Sequence, residues 1–191
     1  MNKRLIILPV IAIICLFASV AGAYSPKSQS NYNTPALQAL EAEIIRVLNL
    51  PSGSPFATVL TDKQLTEAAK EGLDQNKEAV KALIKQYFNT DANVSNPKVE
   101  FKQDQFKISV KVGIGFLKVG ASLSGKIGLL NGLPTLNIEK IDIPLVKIAP
   151  DTINNEVKYY IDTYGYLLTD YVTISNIAVT EGQILIEGTR K

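Results

Sequence analysis

The residues best placed for chemistry are Gly120-Ala121-Ser122-Leu123-Ser124-Gly125-Lys126-Ile127, one residue short of a P-loop. A P-loop cradles phosphates on backbone N–H groups and a lysine, and its closing Ser or Thr puts a hydroxyl on magnesium. Ile127 cannot ligate a metal, and the stretch alternates into a hairpin turn instead of opening a helix, so its glycines read as relief of crowding in a bent strand. Ser95-Asn96-Pro97-Lys98 fits the S-x-x-K of penicillin-recognising enzymes, but it precedes a strand, and neither S-D-N nor K-T-G occurs. Asn93-Val94-Ser95 is a glycosylation sequon that matters only in a eukaryotic cell. Glu67, Glu71 and Asp142 are spread over surfaces expected to be solvated, and no carboxylate pair stands out for acid/base work. Tyr159, Tyr160, Tyr164, Tyr166 and Tyr171 gather near one another, and the plain reading is a core rim with hydroxyls in water.

Composition narrows the chemistry further. The chain has no histidine, and its single cysteine, Cys15, lies in an apolar N-terminal stretch without the context of a lipoprotein signal. Lys3-Arg4, the apolar run Leu5 to Val20 and Ala21-Gly22-Ala23 form a signal-peptide pattern that would leave Tyr24 first, with an uncleaved membrane anchor as the rival reading. Either way the remaining domain is expected outside the cytoplasm, secreted or periplasmic, with no disulfide, no thiolate nucleophile, no Cys/His metal site, no histidine base and no cofactor. Without Lys3 and Arg4, the basic residues (20 in the whole chain) equal the 18 acidic ones in number, so nucleic acid is not an expected partner.

The elements that must carry any site follow from periodicity. Residues Tyr24 to Asn33 are polar and read as a flexible lead-in. Thr34-Pro35 then opens an amphipathic helix ending near Asn49, and Pro51 to Pro55 reads as an exposed connector. Thr61 and Gln64 form a capping box for a long helix over Leu65 to Phe88, with a polar interruption and possible kink at Asp74-Gln75-Asn76. A hairpin around Gln103-Asp104 leads into a long, glycine-dotted, two-stranded ribbon from Phe106 to Ile143, with a turn or bulge at Phe116-Leu117 and a fold at Asn131-Gly132. That turn pairs Leu130 with Leu133, Ile127 with Leu136 and Gly125 with Ile138, with one more slip before Ile141. Asp151 is the expected N-cap of a helix with the stripe Ile153, Val157, Tyr160, Ile161, Tyr164 and Leu168, and a last hairpin turns at Glu181-Gly182. A helix leading to Val94-Ser95-Asn96 and a hairpin, then a helix leading to Ile174-Ser175-Asn176 and a hairpin, make a weak internal repeat.

Leu60-Thr61-Asp62-Lys63-Gln64-Leu65, Asn96-Pro97-Lys98-Val99-Glu100-Phe101, Ile143-Pro144-Leu145 and the ending Thr180 to Arg190 carry a resemblance. Over roughly Leu60 to Arg190 the pattern resembles bacterial secreted lipid-binding proteins of the YpmS and LmeA kind, in or near the tubular lipid-binding (TULIP-like) superfamily. The resemblance implies a curved antiparallel sheet wrapped around a long helix, with an apolar groove for acyl chains.

The expected fold is therefore α+β, a strongly curved antiparallel sheet on the helix of Leu65 to Phe88, with the helix from Ile153 closing one side and a β-sandwich or barrel as runner-up. The expected organisation is residues 1–23 signal or anchor, 24–59 lead-in, first helix and connector, and 60–191 the binding domain. Val110, Val112, Ile114, Val119, Ala121, Leu123, Gly125 and Ile127 are expected on one concave wall, opposed by Leu73, Val80 and Ile84, with room for an acyl chain near Ala121 and Gly125. The function that follows is non-catalytic binding of a lipid or apolar small molecule, with a membrane surface as a further partner. Its rival is a structural or interaction domain whose wall is a filled core, because both show the same alternation. An enzyme built on carboxylate, lysine or serine has no motif behind it.

Overall fold

Four two-residue turns set the sheet registers of this computed structural model, which describes residues 35–88, 91–143, 149–164 and 169–191. Strand β2 (Ala92–Lys102) turns through Gln103-Asp104 into β3 (Gln105–Ile114), and Gly115-Phe116 carries β3 into β4 (Leu117–Leu130). Asn131-Gly132 returns β4 into β5 (Leu133–Asp142), with both residues at positive φ (53° and 77°), the conformation an Asn-Gly hairpin needs. The ladder pairs Leu130 with Leu133, Ile127 with Leu136 and Gly125 with Ile138, as expected, and the later slip is a bulge at Glu139 between Ser124↔Lys140 and Gly125↔Ile138. These four strands form one antiparallel sheet in chain order.

A second antiparallel sheet has the order β1-β7-β6, from β1 (Pro55–Thr61), β6 (Val172–Thr180) and β7 (Gln183–Arg190). The fold is α+β with two sheets instead of one, and no closed barrel forms among the described residues. Phe101, Phe106, Ile108, Leu123 and Ile138 of the first sheet meet Val179 and Ile184 of the second in a shared core, so the first sheet buries one part of its apolar face on the second sheet and the rest on helices. The sheets also join at their tips, where the Asp104 N–H donates to the Val179 carbonyl and the Gly182 N–H to the Phe101 carbonyl, both at 3.1 Å. Counted from their turns, Asp104 matches Gly182 and Phe101 matches Val179, so the two bonds are reciprocal. β2 bulges between Ser95 and Lys98 and β6 between Ile174 and Asn176, and Ser95 and Ser175 donate to the facing carbonyls of Lys111 and Glu187. Counted from the turns, the two bulges correspond but Ser95 matches Thr173 and not Ser175, so the repeat read in the sequence is two residues out of register with the hairpins.

The helices fill the remaining sides. Helix α1 (Pro35–Leu48) packs Leu37 and Leu40 on Ala68 of α2 (Asp62–Gln75). Its N-terminal Ala36 and Leu37 N–H groups donate to the Glu71 carboxylate, and Arg190 donates to the Leu48 carbonyl at its other end. An acid at the amino end and a base at the carboxyl end both oppose the helix dipole, each contributing about 0.3–1 kcal/mol. Thr61 and Gln64 close the expected capping box of α2. The long helix divides at the expected place: the Asn76 N–H and side-chain amide both donate to the Gly72 carbonyl, ending α2, and α3 (Lys77–Phe88) begins at the next residue.

Helix α4 (Pro150–Tyr164) starts one residue before Asp151, which sits in its first turn and is not the cap expected of it. Two helix side chains cover both edges of the four-stranded sheet. Thr66 accepts from the Val99 N–H and donates to the Val99 carbonyl on β2, while Asn154 does the same for Ile138 on β5, at 2.7 and 3.1 Å. Each gives an unpaired edge residue what a further strand would supply. The expected boundary between residues 59 and 60 falls inside β1, so the first helix and connector lead directly into the second sheet. Residues 1–34, with the expected signal and lead-in, and 144–148, with Pro144 and Leu145, lie outside the described residues, as do the side chains of Leu83, Ile84, Tyr160 and Tyr164.

Candidate functional site

The inner face of β3 and β4 is a ladder of apolar pairs running outward to the Gly115-Phe116 turn. Val110 faces Ala121, then Val112 faces Val119, then Ile114 faces Leu117. Ala69 and Leu73 from α2, Val80 from α3, and Ala92 and Val94 from β2 pack against the first two pairs. Seven of the expected wall residues, namely Leu73, Val80, Val110, Val112, Ile114, Val119 and Ala121, are therefore brought together, while Ile84 lies on α3 with its side chain outside the described residues. The side chains are small, mostly Ala and Val, which lets the helices approach the sheet closely.

The expected wall divides after Ala121. Leu123 and Ile127 pack with Phe106, Ile138, the second sheet and Ile153 of α4, and from α2 Leu65 joins them in place of the Ala69 and Leu73 that meet the first pairs. Gly125 does not leave room for a chain. A Cβ there would overlap the Asn137 carbonyl and come within 2.8 Å of the Ile138 Cα, because the bulge at Glu139 draws β5 backbone over it. The glycine permits a close approach of two strands, and the missing volume is already occupied by main chain.

The pairs also differ in exposure along the ladder. Ala121 is 3% exposed, Val119 and Ile114 are half-buried, and Leu117 is 54% exposed. The wall thus runs to the surface without a polar rim, ending at Phe116. The opposite face of this sheet is polar, with Lys98, Lys107, Lys111, Lys118, Lys126 and Lys140 all exposed. Lys98 pairs with Glu100 and holds that carboxyl below the usual carboxylate range through its hydrogen bond, and Lys126 pairs with Glu139.

No family model and no curated protein matches this chain. The P-loop-like stretch Gly120 to Ile127 lies wholly within β4, Ser95 lies in β2 bonded to the Lys111 carbonyl, and Glu71 is engaged at the start of α1. Among the described residues no three His, Cys, Asp or Glu side chains are grouped to hold a metal, and no helix is long and apolar enough to cross a membrane. Glu43 of α1 accepts from Arg46 at 2.7 Å and from the buried Thr58 hydroxyl at 2.8 Å. The Arg46 hydrogen bond holds the Glu43 carboxyl below its ordinary range and raises the guanidinium in turn. This trio fastens α1 to β1; the i,i+3 spacing of Glu43 and Arg46 announces their ion pair, while nothing in the sequence announces Thr58 as the third member.

Proposed function

We propose that the protein is a non-catalytic binder of lipid or another apolar ligand outside the cytoplasm, holding the ligand between α2–α3 and the inner face of β3–β4. The single observation behind this reading is the run of pairs Val110·Ala121, Val112·Val119 and Ile114·Leu117, apolar throughout and increasingly exposed toward the turn. An acyl chain entering at Ile114 and Leu117 would follow that run inward by parting α3 from the sheet at the Asn76 break. The TULIP-like arrangement of a curved sheet on a helix is part of this proposal, and Lys3-Arg4 with Leu5 to Ala23 supports export. The ligand surface is narrowed to Leu73, Val80, Val110, Val112, Ile114, Val119, Ala121 and the Ile84 position. Leu123, Gly125 and Ile127 are assigned to core.

The second reading, a structural or interaction domain, is favoured by the filled space at Gly125 and the shared core of the two sheets. Native mass spectrometry of the parent and Ala121→Phe, with thermal midpoints of both, separates the readings. A binder carries lipid that the substitution expels while the midpoint is nearly kept. A filled core shows no lipid in the parent, and Ala121→Phe lowers its stability by about 1–3 kcal/mol.

A further inference from the structure

The Ile114-Gly115-Phe116-Leu117 turn presents Phe116 at 94% exposure, with Leu117 beside it. Gly115 takes the left-handed conformation at φ 59°, so the turn projects its aromatic residue from a two-residue loop. Lys118 lies opposite Gly113 and Lys111 opposite Gly120, which puts both exposed ammonium groups on the face of the hairpin away from the apolar ladder. Among the described residues neither lysine has a carboxylate partner. On the neighbouring elements Asp91 is matched by Lys85 at 3.1 Å and Glu100 by Lys98 at 2.8 Å, and Asp142 stands opposite Ser122 on β5. At about 3.4 Å per residue, Lys118 follows Phe116 by about 7 Å and the Lys111 row by about 14 Å.

We infer that this tip docks on an anionic lipid surface, with Phe116 and Leu117 entering the interfacial layer and Lys118 and Lys111 lying against its headgroups. Interfacial apolar groups sink about 5–10 Å, which brings Lys118 to headgroup depth when Phe116 is inserted. Charge selects this occupant over a second copy of the chain, because the tip is cationic and two exposed side chains fall far short of the ~800 Å² per partner of a stable dimer. The docking does not depend on the groove holding a ligand, and a failure of lipid uptake leaves it standing.

The chain contains no tryptophan, so Phe116→Trp supplies a single indole at the tip. The full chain carrying it is mixed with vesicles of phosphatidylcholine, alone or with about one-third phosphatidylglycerol, some brominated on the acyl chains. The expected result is a blue-shifted indole quenched by brominated lipid, much more strongly with phosphatidylglycerol. Lys111→Gln with Lys118→Gln weakens that partition about 30-fold, roughly fivefold per lysine, with circular dichroism unchanged. Three results overturn the inference. The indole stays water-like while the chain sediments with vesicles, so that another segment attaches it. The blue shift appears without lipid and grows with protein concentration, so that a second copy covers the tip. Or the lysines bind soluble dextran sulfate while the indole stays unshifted with vesicles, so that the face takes a polyanion.

Discussion

At the third inward pair from its turn, the β2–β3 hairpin places Val110 opposite Ala121 of β4, whereas the β6–β7 hairpin places Gly188 opposite Phe56 of β1. The two earlier pairs also correspond, Phe106·Gly125 with Ile184·Leu60 and Ile108·Leu123 with Ile186·Thr58. Each hairpin divides its volume differently along the same ladder. In the second, the Phe56 ring lies over Gly188 and the sheet closes itself: a Cβ on Gly188 would meet the Thr173 carbonyl and come within 2.8 Å of the ring. In the first, Val110 and Ala121 leave a shallow surface that α2 and α3 must cover. A wall closed by its own strand has nothing to part, while a wall closed by helices broken at Asn76 does. This difference favours the first unit as the place for the proposed ligand.

The largest test of that contrast is Gly188→Ala. Because main chain and a ring both stand where the methyl would go, the loss in urea unfolding is expected at about 3 kcal/mol, the upper part of the overpacking range. Gly120→Ala on the outer face of β4 meets nothing within 4 Å and is expected to change stability by less than about 0.5 kcal/mol. Equal losses at the two positions would remove the claim that the second unit is the self-closed one.

A smaller effect concerns the covered edges of the first sheet. Asn154→Leu removes both bonds to Ile138 and is expected to lower stability by about 1–3 kcal/mol. Thr66→Val does the same at Val99, within the same range. Amide exchange at Ile138 and Val99 should accelerate in the respective variants. If neither amide changes, the helices contact the edges without completing them.

What was legible in the chain divides along physical lines. Turns were, because Asn131-Gly132 and Glu181-Gly182 answer a local demand for left-handed backbone. The bulge at Glu139 was also legible, because a frame slip in apolar alternation has few other meanings. Strand β1 is hidden in the sequence because Thr58 interrupts the inward series Phe56, Thr58, Leu60, and its hydroxyl finds its partners in Glu43 and Arg46, fifteen and twelve residues away. The division of the wall after Ala121 was not legible either, since Ala121 and Leu123 alternate alike whether a helix or a second sheet faces them. Gly125 looks like space in the sequence alone, whereas it marks main chain drawn close by a bulge on another strand. Thr66 and Asn154 carry no local mark of their work, because their partners lie on strands distant in sequence.

The smallest expected effect returns to the middle pair, where Thr58 of β1 occupies the place that Leu123 holds in β4. Leu123 is held by burial between the sheets, which is insensitive to acid. Thr58 is held through Glu43, whose carboxyl is lowered chiefly by its hydrogen bond to Arg46. A lowered carboxyl contributes stability that is present above its unfolded value of about 4.3 and is lost as pH falls through the folded one. Arg46 stays charged throughout, so the change belongs to Glu43. Because the trio is partly solvated, the contribution should stay below about 1 kcal/mol. Urea unfolding of the parent and Glu43→Gln at pH 7 and near pH 3 should show the parent ahead at neutral pH and the gap narrowing in acid. Leu123→Ala, with its expected loss of about 2–5 kcal/mol, should hold the same gap to the parent at both values. A Glu43→Gln gap that does not narrow would mean that α1 is fastened to β1 by packing and not by this carboxylate.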